Sequence, residues 1–160
     1  MTMPTPLTIR QLTLLTFLNG AGKEELDPVR IMKGLFLVAQ EARPDWLRDE
    51  DRYSFEPYNY GPCAFEIYDD LKELGAQGYV LLTQRPSVSW SFYSLTPQGE
   101  QAVKEEGRRL QPGLVRYLGQ LRQFVTNLSF RALLNAVYDR YPDYAINSVF
   151  RRSSGVGVAS

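Results

Sequence analysis

Between residues 79 and 97 the chain passes from strand to helix with no intervening loop. "YVLLT" at 79–83 and "VSWSFYSL" at 88–95 are rich in β-branched and aromatic residues and flank Gln84-Arg85-Pro86-Ser87, a pattern that predicts a β-hairpin. Thr96-Pro97 follows at once. Threonine suits an N-cap, and proline suits the first helical position, where its missing N–H would have had no partner. The helix that starts there is expected to run to about Leu110, where Gln111-Pro112-Gly113 breaks it. A fold that accommodates this stretch must join strands to helices directly.

The remaining segments read as helices with clear punctuation. Thr8 and Gln11 have capping-box spacing, Leu12, Leu15 and Leu18 follow at helical intervals, and Asn19-Gly20 stops the run. Asp27-Pro28 starts a second helix with Val29, Met32, Leu35, Phe36 and Ala39 on one stripe. Ile31 and Val38 widen that stripe, so burial on most sides is expected, and Pro44 ends the helix. Tyr53 to Glu56 is expected to be extended, because Pro57 biases the preceding residue toward β geometry. Gly61-Pro62 is read as the start of a third helix, with Ala64, Ile67, Tyr68, Leu71 and Leu74 inward and Gly75 and Gly78 closing it. Leu114, Leu118, Leu121 and Val125 mark a fifth helix. Leu133, Leu134, Val137 and Tyr138 mark a sixth, ended by Tyr141-Pro142. At 160 residues the chain suits one well-packed domain, and it shows no internal repeat.

This order of elements is the winged helix-turn-helix pattern, and "FYSLTPQGEQAV" at 92–103 resembles the strand-to-helix junction of small bacterial winged-helix regulators. The expected fold is therefore α+β and mainly helical. A winged helix-turn-helix core with a two-stranded wing fills residues 1–110. A C-terminal helical extension over 111–150 serves dimerisation or partner contact, and 151–160 form a disordered tail. The resemblance implies a dimeric transcriptional regulator that binds double-stranded DNA. Tyr58, Asn59 and Tyr60 precede the helix that would be the recognition helix, where asparagine can read adenine and tyrosines can touch phosphate or sugar. Arg85 lies at the wing tip, and Arg108, Arg109, Arg151 and Arg152 are further candidate phosphate contacts.

Charge both helps and opposes that reading. The chain is neutral overall, but residues 1–100 hold 9 Lys/Arg against 14 Asp/Glu, and residues 101–160 hold 9 against 4. An acidic front and a basic back suit self-association or a polyanionic partner. The outward set expected on the third helix is Phe65, Glu66, Asp69, Asp70, Lys72 and Glu73. Its charge of −3 would be repelled by a phosphate-lined groove.

A second resemblance lies in the same region. "IMKGLFLVAQEA" followed by "FEPYNYGPCAFEIYDDLKEL" is similar to the Panacea, or SocA-like, antitoxin and adaptor domain, over about residues 29–74. Members pair a helix carrying lysine, leucine and an aromatic residue with a later segment containing Tyr-Gly-Pro, here Tyr60-Gly61-Pro62. The likeness implies a protein-binding regulator that neutralises a toxin or delivers a client to a protease. Phe65, Glu66, Asp69 and Glu73 would then form the protein contact, with Phe65 as an aromatic anchor among carboxylates.

Enzyme chemistry has little material. The chain has no histidine and one cysteine, which removes Ser-His and Cys-His pairs, His-containing metal sites and thiolate zinc sites. "RDEDR" at 48–52 lacks the spaced ligands and turn glycine of a calcium loop. No catalytic residue, metal or cofactor is expected. Cys63 is placed in the first turn of the third helix as a small buried residue rather than a redox sensor. No run is apolar and long enough to span a membrane, and no signal peptide is read at the N-terminus. A cytoplasmic homodimer is expected. The regulator of DNA is narrowly preferred over the protein-binding adaptor.

Overall fold

The structure is a computed structural model and describes residues 6–19, 25–59 and 61–145. It is α+β and mainly helical. In order come α1 (Ile9–Leu18), α2 (Pro28–Glu41), β1 (Glu56–Tyr58), β2 (Gly61–Cys63), α3 (Phe65–Ala76), β3 (Val80–Gln84), β4 (Ser91–Leu95), α4 (Pro97–Glu106), α5 (Pro112–Asn127) and α6 (Phe130–Arg140). The strands form two separate antiparallel pairs, β1–β2 and β3–β4. No helix among the described residues is long and apolar enough to cross a membrane.

The cap signals act as the sequence predicts. Thr8 and Gln11 form a reciprocal capping box at the start of α1. The Asp27 carboxylate accepts from the Arg30 backbone N–H at 2.9 Å, and Pro28 opens α2. Every residue of α2 from Ile31 to Val38 is buried, because α5, α6, β2 and β4 all pack on it. The helix is the axis of the core. Gly34 lets α1 approach: a Cβ there would run into the ring of Phe17. α5 lays Leu114, Leu118, Leu121 and Val125 on α1 and α2, and α6 buries Leu133, Leu134, Val137 and Tyr138 against α2. These residues belong to the same apolar cluster as the first two helices.

Four details differ from the sequence expectation. Gly61-Pro62 does not start a helix. Gly61 has φ +91°, a left-handed value that favours glycine, and it opens β2 opposite Tyr58. The pairing centres on Pro57 opposite Pro62. Neither proline has an N–H to donate, so the ladder stays short. Helix α3 therefore begins at Phe65, and Cys63 ends a strand instead of occupying a helical first turn. The extended reading of Tyr53–Glu56 moves downstream, to Glu56–Tyr58. In the second hairpin, strand β4 begins only at Ser91, so Val88 to Trp90 belong to the turn and Trp90 is exposed. Pro112 starts α5 rather than only breaking the helix before it. The expected tail at 151–160 lies outside the described residues.

The segment before α2 adds one pairing that sequence reading does not anticipate. Leu26 bridges Tyr93 on the free edge of β4, with both N–H···O bonds at 2.9 Å. The β3–β4 hairpin is thereby fastened to the start of α2.

Candidate functional site: a cleft beside the third helix

The β1–β2 hairpin presents Tyr58 just before its turn, and α3 starts two residues after the hairpin ends. That proximity brings Tyr58 and Phe65 together as an edge-to-face pair, ring centroids 5.2 Å apart. Tyr68, one helical turn beyond Phe65, is read from the sequence as inward but is 40% exposed. With Tyr58 at 45% and Phe65 at 47%, three large aromatic side chains face outward from one short region.

Beside these aromatics runs a cleft of about 300 Å³ between α2 and the β2–α3 segment. Val29, Met32 and Lys33 form its α2 wall, and Cys63, Phe65 and Tyr68 line the other side. Lys33 is the exceptional residue. It is only 3% exposed, and its Nζ donates to the Pro62 carbonyl at 3.0 Å. Among the described residues it forms no ion pair. Burial lowers its pKa to about 8, with the charges of Cys63 and Asp27 acting in the opposite direction. Burial also pushes the Cys63 thiol up, partly offset by Lys33, so the thiolate is disfavoured.

The acidic face expected on α3 is not assembled. Asp70 is buried, not outward. It accepts from Arg10 Nε at 3.1 Å and from the Tyr53 hydroxyl at 2.7 Å, while Arg10 Nη1 donates to Glu66 at 3.0 Å. Burial, followed by the charge of Asp70, holds the Tyr53 phenol well above its ordinary pKa. Glu73 is exposed and accepts from Gln11 at 3.2 Å. These bonds tie α3 to α1. The exposed charges left on α3 are Asp69, Glu73 and Lys72, two carboxylates against one ammonium, a net −1.

The remaining candidates are scattered. Asn59 is exposed in the β1–β2 turn, and Tyr60 lies outside the described residues, as do Arg151 and Arg152. Arg85 sits in the β3–β4 turn, its guanidinium 3.7 Å from the centroid of the Phe92 ring and 3.6 Å from Glu25. Arg108 is exposed in a 3-10 turn over Gly107–Arg109. Arg109 pairs with Glu106 at 2.6 Å and donates to the Leu7 carbonyl at 2.8 Å, which is a structural assignment. Among the described residues no group of His, Cys, Asp and Glu could hold a metal. Sequence reading did not name Lys33 as a site residue, although it lies in the stretch that carries the second resemblance. Its signal was present: a lysine set inside an apolar run, in a helix expected to be buried on most sides. No protein-family model matches the chain, and no curated protein matches it.

Proposed function

We propose that the protein is a protein-binding regulator on a winged-helix-like scaffold, and that it docks its partner through Tyr58, Phe65 and Tyr68. The observation that carries this reading is the contiguous exposure of those three aromatics at the start of α3. Exposed aromatics flanked by polar side chains are the composition of an interface anchor. The face offers little to a polyanion, since Lys72 is its one exposed cation and Asp69 and Glu73 flank it. The adaptor or antitoxin role implied by the Panacea-like likeness has the same requirement.

The order α1, bridge at Leu26, α2, α3, β3, β4, with the bridge on the free edge of β4, supports the winged-helix-like layout. A DNA-reading helix-turn-helix joins its two helices by a short turn. Here the whole of 42–64, including a hairpin, lies between α2 and α3. The DNA reading keeps one specific support, the exposed Arg85 at the tip of the second hairpin. A cross-test separates the two. Phe65→Ala is expected to weaken the affinity for a protein partner co-purified from the native host by about five- to thirtyfold, the loss of a 1–2 kcal/mol anchor. Arg85→Ala is expected to leave it unchanged. Salt-dependent DNA binding that falls on Arg85→Ala and ignores Phe65→Ala would reverse the assignment. A homodimer through the C-terminal helices is proposed with it.

A further inference from the structure

The cleft beside α3 has a chemical asymmetry that its packing does not explain. Its walls are apolar: Val29 and Met32 on one side, Phe65 and Tyr68 on the other. Yet Lys33, almost fully buried, sits among them. An ammonium group has three N–H donors, and one hydrogen bond, to the Pro62 carbonyl, is made by a described residue. Asp27, the N-cap of the same helix, is committed to the backbone and side chain of Arg30. A buried cation without a counter-ion is costly in a folded protein, and such charges are normally paired. Among the described residues no carboxylate pairs with Lys33, and its side chain borders the cleft.

We infer that this cleft binds a small monocarboxylic acid with an apolar body, its carboxylate on Lys33 Nζ and its hydrocarbon between Met32, Phe65 and Tyr68. The volume of about 300 Å³ is at the small end of ligand pockets and suits a short-chain or single-ring acid. One buried cation balances one negative charge. A phosphate dianion would draw on several donors or an arginine fork, and the cleft offers one ammonium within greasy walls. The Lys33 stem and the Tyr138 ring pack close to Gly61, where a Cβ would come within 3.4 Å of Lys33 Cε and 2.8 Å of the Tyr138 ring. The inference does not rest on the protein-binding reading, since its ligand is a small molecule and its test needs no partner.

Hexanoate is the probe, with 1-hexanol and hexylamine as neutral and cationic controls of the same chain length. Titration of the nitrogen-15-labelled protein at pH 7 is expected to shift amides of residues 29–33 and 63–68 with hexanoate. Its Kd is expected to be at least tenfold lower than that of 1-hexanol, and hexylamine is expected not to bind. Intermolecular Overhauser contacts from the methylene next to the carboxylate should reach the Lys33 ε protons, a readout that requires no substitution. Lys33→Met is expected to remove the preference for acid over alcohol while the alcohol still binds. Equal affinity for acid and alcohol in the wild type would overturn the inference. So would shifts confined to other residues, or an acid preference that survives in Lys33→Met.

Discussion

Lys33 carries two consequences at the scale of a single side chain. Its folded pKa of about 8 lies below lysine's ordinary 10.5, so the native state holds its proton less tightly than the unfolded chain. Below pH 8 both states are protonated, and the full cost of burying the charge, on the order of 3 kcal/mol, is present. Between pH 8 and 10.5 the native state releases a proton that the unfolded state retains, and the cost is relieved. Lys33→Met, which also gives up the bond to Pro62, is therefore expected to raise stability at pH 7 by about 1–3 kcal/mol. That advantage should shrink as pH rises through the same window. The neighbouring Cys63 and Tyr68, whose pKa values are raised by burial, titrate in both proteins, so the difference between urea midpoints is the quantity to follow. An advantage independent of pH would show that the native state holds this proton as tightly as the unfolded chain, so that burial does not lower the lysine's pKa. Cys63 behaves oppositely. Buried and held as a thiol, it is expected to tolerate serine at a cost of at most about 1–2 kcal/mol, with partner binding intact. Oxidant-sensitive binding that disappears in Cys63→Ser would assign it a redox role instead.

At the scale of elements, the strand-to-helix junction at 95–99 joins three segments. The Thr96 hydroxyl accepts from Gly99 N–H at 2.9 Å and donates to the Gly78 carbonyl at 2.6 Å, while Thr96 N–H donates to the Tyr79 carbonyl at 3.1 Å. A Cβ at position 99 would collide with that same Tyr79 carbonyl, so the glycine is set by close approach of backbone to backbone. Gly99→Ala is expected to cost about 1–3 kcal/mol, as overpacking does, despite alanine's better helix propensity. Thr96→Ala should cost about 1 kcal/mol as a lost cap. Thermal melts decide both, and a Gly99→Ala variant as stable as the wild type would show that α4 can shift outward freely. The junction was legible because caps are local: Thr8, Asp27 and Thr96 each satisfy an N–H three residues on. Gly61-Pro62 was misread because the same dipeptide opens a helix or a strand, depending on which sign of φ the glycine takes. That choice is made by distant partners, Tyr58 across the ladder and the Tyr138 ring. The Leu26–Tyr93 bridge has no local signal at all.

At the scale of the whole molecule, the legible and illegible parts of the site divide in the same way. The exposure of Phe65 followed from helical spacing within α3. The cleft did not, because one wall is α2 and the other is a strand and helix start some thirty residues later in the chain. Asp70 was assigned to the surface by the same spacing, and Arg10, Gln11 and Tyr53 arriving from elsewhere make its burial tolerable. The apolar surplus of α5 and α6, which motivates a dimer in the sequence, is largely taken up by α1 and α2. What remains outward near their corner is Phe124, 41% exposed, and Phe130, 37% exposed. A second surface competes with it: β3 pairs only with β4 among the described strands and exposes Leu81 and Leu82 at 52% and 47%. An apolar edge strand invites pairing with another copy. Light scattering at micromolar concentration is expected to give about twice the 18.3 kDa chain mass. Phe124→Asp, which puts a charge into the proposed seam, should return the mass to that of one chain without changing the helical circular dichroism. Leu82→Lys should leave the dimer intact. A wild-type protein that stays at 18.3 kDa removes the dimer. A dimer that survives Phe124→Asp and dissociates with Leu82→Lys moves the interface from the C-terminal helices to the hairpin edge, leaving the aromatic face of α3 as the surface for a different protein.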